Sequence, residues 1–232
     1  MAGHFSSFSR LLPLLYLASP ALPVGAFAFS QGLAPACANS FVDGKTLAAW
    51  LKTLLFHGLA RLDIPVLLRC HDAATANCAA GFFHWNAVLF AGRESAELWF
   101  EEEQIGRAMC RLLRDQALSP EWMEGRDCGH VAAFALAAAR LAGHAADAHD
   151  SDREAACAYL WAWLENQVTT ACKCLTMGQR AAQGILLDLM RHIPEVVALA
   201  AALGDDDIGT SLPGLAIASS LHEHQYSRMF RS

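Results

Sequence analysis

Along most of this chain apolar residues recur every three or four positions, the spacing that gathers them on one face of a helix. Leu47, Trp50, Leu51, Leu54 and Leu55 repeat in this way behind Asp43, a residue type that caps helix starts. Asp63 and Pro65 mark the next start, since proline is welcome in a first turn, where its missing N–H costs nothing. That helix runs on through Leu67, Leu68 and two cysteines, with Gly81 as a candidate break before 82–90. Residues 94–115 carry Leu98, Ile105, Met109 and Leu112 on one face. Glu101, Glu102 and Glu103 are read near the opposite side, as a solvated acidic face. Pro120 and two glycines make 119–129 a connector, 131–141 is an alanine-rich helix and 144–152 a polar loop. Ser151 with Glu154 three residues on spells a capping box for a helix carrying Tyr159, Leu160, Trp163 and Leu164 to about Leu175. Gly178 ends it, a helix follows over 179–192, and Pro194 opens another that closes at Gly204 before an acidic run over 205–207. Residues 209–214 form a loop into the tail. No alternating run makes a convincing strand and no internal repeat is present. The pattern predicts an all-α protein, a single helical domain over 1–232 with about ten helices.

Two stretches break this regularity. Residues 17–33 are apolar, yet Pro20 and Pro23 disfavour helix and Gly25 and Gly32 permit backbone conformations closed to other residues. The expectation is a helix end followed by a shaped apolar turn, which its own fold or a partner must cover. The C-terminal stretch 221–232 mixes two histidines, a glutamate, a tyrosine, two arginines and the pair Met229-Phe230. Aromatic and arginine side chains anchor interfaces through buried area and forked hydrogen bonding. A docked C-terminal helix accounts for the same composition.

Composition narrows the class. The chain of 232 residues is 54% hydrophobic but only 9% aromatic, so leucine and alanine supply the apolar content and packed helices are favoured over a sheet. The formal charge is 17 − 23 = −6 and no basic block stands out, which argues against nucleic acid as a partner. Residues 11–28 imitate a signal peptide, but two prolines interrupt them, and no other stretch has the uninterrupted apolar length of a membrane span. The eight cysteines, Cys37, Cys70, Cys78, Cys110, Cys128, Cys157, Cys172 and Cys174, lie scattered among alanines, as small buried hydrophobes do. A chain with its own core needs no disulfide scaffold, so reduced thiols in the cytoplasm are expected.

Catalytic signatures are lacking: the sequence holds no Gly-x-Ser-x-Gly elbow, no phosphate loop and no His-Glu-x-x-His. His57, His71, His84 and His130 sit singly in helical patterns, and His144 and His149 lie in the polar loop. The expectation is no catalytic residue, no cofactor and no intrinsic metal site. Cys172-Lys-Cys174 and His222-Glu-His224 are the residues that would suit zinc or nickel by ligand type. Residues two apart on a helix, however, point to different sides. Gln179 and Gln183, four apart beside Arg180, read either as an exposed polar face or as a hydrogen-bonding patch for another chain.

The stretches Leu-Ala-Ser-Pro-Ala-Leu-Pro-Val-Gly-Ala-Phe over 17–27 and His-Glu-His-Gln-Tyr-Ser-Arg-Met-Phe-Arg-Ser over 222–232 together resemble the urease accessory protein F (UreF) family. Between them, Arg61-Leu-Asp-Ile-Pro65, Arg93-Glu-Ser-Ala-Glu-Leu98 with Gln104-Ile-Gly106, and Gly178-Gln179 with Gln183 resemble further family segments in family order. Two departures stand out. Arg180-Ala-Ala182 replaces a glycine-containing turn, and 34–38, with Pro35 and Cys37, replaces a glutamate and a helix continuation. The cysteines at 172 and 174 are also local to this chain.

The resemblance implies a non-enzymatic accessory protein for assembly of the urease nickel centre. Such a protein dimerises, binds UreD (also called UreH), recruits the GTPase UreG and regulates GTP-dependent nickel delivery into apo-urease. It implies partner-binding candidates at Ser19, Pro20, Pro23, Gly25 and Phe27, at Gln179 and Gln183, and at His222, Glu223, Tyr226, Arg228, Phe230 and Arg231. The alternatives are a metallochaperone that holds nickel through Cys172, Cys174, His222 and His224, and a helical enzyme built around a deep polar pocket.

Overall fold

Residues 11–142, 150–225 and 229–231 are described in a computed structural model, with Ala142 and His224 placed by backbone alone. After a helical stretch over 11–17 and an irregular turn, ten α-helices follow. They are α1 (Leu33–Ala38), α2 (Leu47–Thr53), α3 (Asp63–Thr75), α4 (Ala79–Ala91), α5 (Ala96–Asp115), α6 (His130–Ala142), α7 (Ser151–Cys174), α8 (Gln179–Met190), α9 (Ile193–Ala201) and α10 (Pro213–Ser220). No strand occurs among the described residues. The fold is all-α, in one compact helical domain.

The centre is α3 against α6. Ile64, Val66, Leu67 and Cys70 of α3 are fully buried, and α6 answers with Val131, Ala132, Ala133, Ala135 and Leu136, also fully buried. Small alanines let the two helices approach closely, and α4, α5 and α7 pack around the pair. The long α7 carries α1, α8 and α9 on its other sides. Each leucine or isoleucine sealed in this way contributes about 1.5–3 kcal/mol.

Most helix starts and stops follow the sequence signals. Asp43 accepts from the Thr46 and Lys45 amides at 2.8 and 2.9 Å and sets the turn that leads into α2. Pro65 sits in the first turn of α3 and Pro194 in that of α9. Several details differ from expectation. The helix opening at Asp63 stops at Thr75, and α4 begins with Cys78 as its cap, so Gly81 lies inside a first turn rather than at a break. The α7 cap is Asp150, with Ser151 the first helical residue. The stretch 209–214, read as a loop, already contains the start of α10.

The end of α2 widens into a π turn, Leu54–Leu59, in which the Ala60 amide reaches back to the Leu55 carbonyl at 3.0 Å. Such a turn releases a carbonyl from the α ladder. Thr210 Oγ1 donates to the His57 carbonyl at 2.6 Å, and the Gly209 amide donates to the Arg61 carbonyl at 2.9 Å. The connection into α10 is thereby pinned beneath the π turn. The acidic run over 205–207 is held in the same region, where Arg69 Nε donates to Asp205 Oδ1 at 2.8 Å.

Candidate partner-binding site

The irregular N-terminal turn owes its shape to two glycines. Gly25 adopts φ 75° and Gly32 φ 78°, a region that side chains with a Cβ rarely enter. A Cβ on Gly32 would also lie 3.0 Å from Leu215 of α10. Between them, the backbone is gripped by amide side chains of α7. Asn166 Nδ2 donates to the Phe29 carbonyl at 3.3 Å and Gln167 Nε2 to the Ser30 carbonyl at 3.2 Å. The Trp163 indole N–H donates to Gln31 Oε1. Phe29 is buried, with its ring edge-on to Phe100 at 6.4 Å between centroids.

The C-terminal tail returns to this turn. After α10 a short 3-10 turn, Leu221–His224, buries His222 completely. Its Nδ1 lies 3.3 Å from Glu97 Oε2 of α5, and its Nε2 is 3.2 Å from the Phe230 carbonyl. Phe230 is buried, with the Lys173 ammonium 5.4 Å from its ring centroid. The Arg231 amide then donates to the Ala28 carbonyl at 2.8 Å. Ser219 Oγ and Ser95 Oγ, 2.8 Å apart, tie α10 to the cap of α5 below. The two unusual ends of the sequence thus form one surface.

The candidates divide as follows. Pro20, Pro23 and Phe27 are exposed, Ser19 and Gly25 half-buried, and Phe27 keeps 59% of its surface in solvent. Phe27 precedes Ala28 and Met229 lies two residues before Arg231, and both are large exposed hydrophobics. The helical stretch over 11–17 exposes Leu11, Leu12, Leu15 and Tyr16 as well. Glu223 and Arg231 are exposed, whereas His222 and Phe230 face inward and hold the tail in place. Tyr226 and Arg228 lie outside the described residues, as do His144 and His149. Gln179 and Gln183 are exposed on α8, whose main packing partners are α7 and α2.

Beneath this surface lies a charged cluster. The acidic face assigned to 101–103 is corrected here: Glu101 and Glu102 are buried at 3% and 5% exposure, and Glu103 alone turns outward, to Arg107 at 2.8 Å. The spacing already held this signal. Glu101 and Glu102 stand four and three residues before Ile105, hence on its face of the helix. Arg93 Nη2 reaches Asp63 Oδ1 and Glu102 Oε2, each at 2.6 Å. The other Glu102 oxygen accepts the Val131 amide at 2.8 Å, satisfying an orphan N–H in the first turn of α6. Burial works against the Arg93 charge, and the two carboxylates more than offset it, raising its pKa well above the ordinary arginine range.

A cavity of about 290 Å³ opens between the N-terminal turn, α5, α6 and α7. Its lining is largely apolar, with Gln31, Glu101, His130, Tyr159, Glu165 and Asn166 among the polar members. Burial, and next the nearby Arg93 charge, push the His130 imidazole down to about 4, with Asp63 opposing. Burial and the Asp63 and Glu102 carboxylates push the Tyr159 phenol up. At neutral pH these are an uncharged imidazole and an intact phenol, both able to hydrogen-bond.

Comparison with known proteins finds relatives along nearly the whole chain. The UreF family model matches residues 41–190. The urease accessory protein UreF of Chromohalobacter salexigens is 47% identical over 226 residues, covering 96% of this chain and 94% of that protein. UreF of Alkalilimnicola ehrlichii is 43% identical over 223 residues, covering 94% of each chain. UreF of Pseudomonas putida (strain GB-1) is 44% identical over 225 residues, covering 96% of this chain and 97% of its own.

This chain belongs to the UreF family.

These UreF relatives are named accessory proteins, not urease subunits. The residues matched by the UreF model contain Asp63, Arg93, Glu102 and Gly106, the scaffold under the site, while both chain ends lie outside them. For the metal alternative, no group of three or more His, Cys, Asp or Glu side chains gathers among the described residues. Cys172 and Cys174 end α7, and the two ring nitrogens of His222 lie against Glu97 and the Phe230 carbonyl. The described helices include none long and apolar enough to cross a membrane.

Proposed function

We propose that this UreF acts as a non-catalytic scaffold in maturation of the urease nickel centre. In this reading the surface formed by its two chain ends binds UreD (UreH). The pair recruits the GTPase UreG, and the complex regulates GTP-dependent nickel delivery into apo-urease. The protein works in the cytoplasm as a homodimer within that complex, without a cofactor of its own. The observation that carries the reading is the Arg231 bond to Ala28, which brings the tail onto the Pro/Gly-rich turn. Exposed Phe27 and Met229, close in sequence to the bonded residues, leave apolar area for a partner to cover. Gln179 and Gln183 offer a separate polar contact on α8.

The test is co-expression with UreD and UreG, comparing the full-length chain with one lacking 222–232. The scaffold reading expects both partners to be captured by the full-length chain alone, with the helical circular dichroism of the two forms alike. Normal capture by the folded truncated chain would remove the tail from the interface. Failure of the folded full-length chain to capture either partner would overturn the scaffold assignment. Stoichiometric nickel binding by the isolated chain, lost on replacing Cys172, Cys174, His222 and His224, would favour the metallochaperone.

A further inference from the structure

Gln167 is fully buried in α7, at 0% exposure, on a stretch where Leu164 and Ala171 are equally sealed. An amide in such a place is costly unless its polar atoms are paired. Its Oε1 has no hydrogen-bond partner among the described residues. Its Nε2 donates to the Ser30 carbonyl at 3.2 Å and to Gln31 Oε1 at 3.3 Å, both in the N-terminal turn. An apolar side chain of similar volume would fill the same space without an orphaned oxygen. Packing therefore does not account for an amide at this position, whereas the two bonds to the turn do.

The corner that Gln167 holds is one the backbone would not adopt unaided. Gln31 has φ 52°, a left-handed conformation uncommon for a residue with a Cβ, and Gly32 follows at φ 78°. Trp163, Asn166 and Gln167 stand at i, i+3 and i+4, hence on one face of α7. Asn166 Nδ2 lies 3.3 Å from the Phe29 carbonyl and 3.5 Å from that of Ala26, and the Trp163 indole N–H donates to Gln31 Oε1. Within the segment gripped in this way, the Ala28 carbonyl is the one that receives the Arg231 amide of the tail. We propose that Gln167 is a positioning residue for the surface made by the two chain ends: its amide fixes the 28–31 backbone so that the Ala28 carbonyl is aimed at Arg231. The tail then docks on a preformed turn, and a partner binding there spends less of its affinity on ordering it. That last consequence rests on the reading that this surface binds UreD. The sequence gives no sign of Gln167, because the turn it serves lies 136 and 137 residues away.

The experiment is amide hydrogen exchange, resolved by NMR, on the full-length chain and its Gln167→Met variant, followed by titration of both with UreD. The Arg231 amide should exchange at least ~10-fold faster in the variant, with the amides of α3 and α6 unchanged. Affinity for UreD should fall by about 10-fold. Asn166→Ala, at a half-buried position on the same face, should give the same local acceleration and carries the test if Gln167→Met does not fold. Unchanged exchange at Arg231 would overturn the proposal. So would an equal acceleration in α3 and α6, which would make Gln167 an ordinary core residue. Acceleration confined to Arg231 with unchanged UreD affinity would uphold Gln167 as a positioning residue and instead remove this surface from the UreD interface.

Discussion

The Arg231 amide donates to the Ala28 carbonyl at 2.8 Å, so the end of the tail is fastened to the first irregular turn across almost the whole chain. Phe230 holds that bond in register by burying its ring under Lys173. Phe230→Ala should therefore release the tail while leaving the helical core folded. The expected outcome is at least a ~10-fold loss in affinity for UreD, about 1.4 kcal/mol, measured by titration calorimetry. An unchanged affinity would show that the tail's seating does not support the interface.

Arg93 bridges two carboxylates that are themselves nearly sealed from water, at 8% and 5% side-chain exposure. Replacing it by methionine leaves both uncompensated, which costs on the order of 3–5 kcal/mol. Urea denaturation of Arg93→Met should show this as a lower midpoint with a similar slope. Arg93→Lys should also destabilise, because a point charge cannot engage both acids as the forked guanidinium does.

Two glycines should respond to alanine in opposite directions. A Cβ on Gly106 would collide with the Cys128 carbonyl and lie 2.6 Å from the Gly129 carbonyl carbon. These are backbone atoms that cannot rotate away, so Gly106→Ala should cost about 1–3 kcal/mol or more. Gly184, within α8, has open space where its Cβ would be. Gly184→Ala should stabilise by roughly 0.5–1 kcal/mol through reduced freedom of the unfolded chain. Thermal unfolding of the two variants checks the contrast.

His71 and His130 both resist protonation in the fold. Burial is the largest cause in each, and both ring nitrogens of His71 lack a hydrogen-bond partner among the described residues. With folded pKa values below the unfolded 6.5, the unfolded chain binds more protons. Their contribution is therefore complete above pH 6.5 and is lost as pH falls, for His130 down to about 4. The slope is at most about 1.4 kcal/mol per pH unit for each proton. His130→Gln should flatten the fall in melting temperature between those two pH values. An unchanged profile would mean that His130 titrates normally.

The helices were legible because their signals are local. Pro65, Pro194 and the Asp43 turn act within a few residues, and the apolar spacing survives whatever the helices pack against. Both end motifs were legible as anomalies, since prolines, glycines and mixed aromatic and arginine content contradict the surrounding helical pattern. Glu101 and Glu102 were misread although their spacing from Ile105 placed them on the inner face. A carboxylate on that face is sensible only once Arg93 and the Val131 amide are known to meet it.

The sequence by itself determined the fold class, the approximate helix boundaries and the kinship with UreF, because periodicity, capping and motif order are written along the chain. Tertiary structure alone decided that the tail lies on the N-terminal turn and that Arg93 joins Asp63 to Glu102. Helical periodicity states which residues share a face. Which other face it meets depends on how helices far apart in the chain close-pack around α3 and α6, and no local pattern encodes that choice.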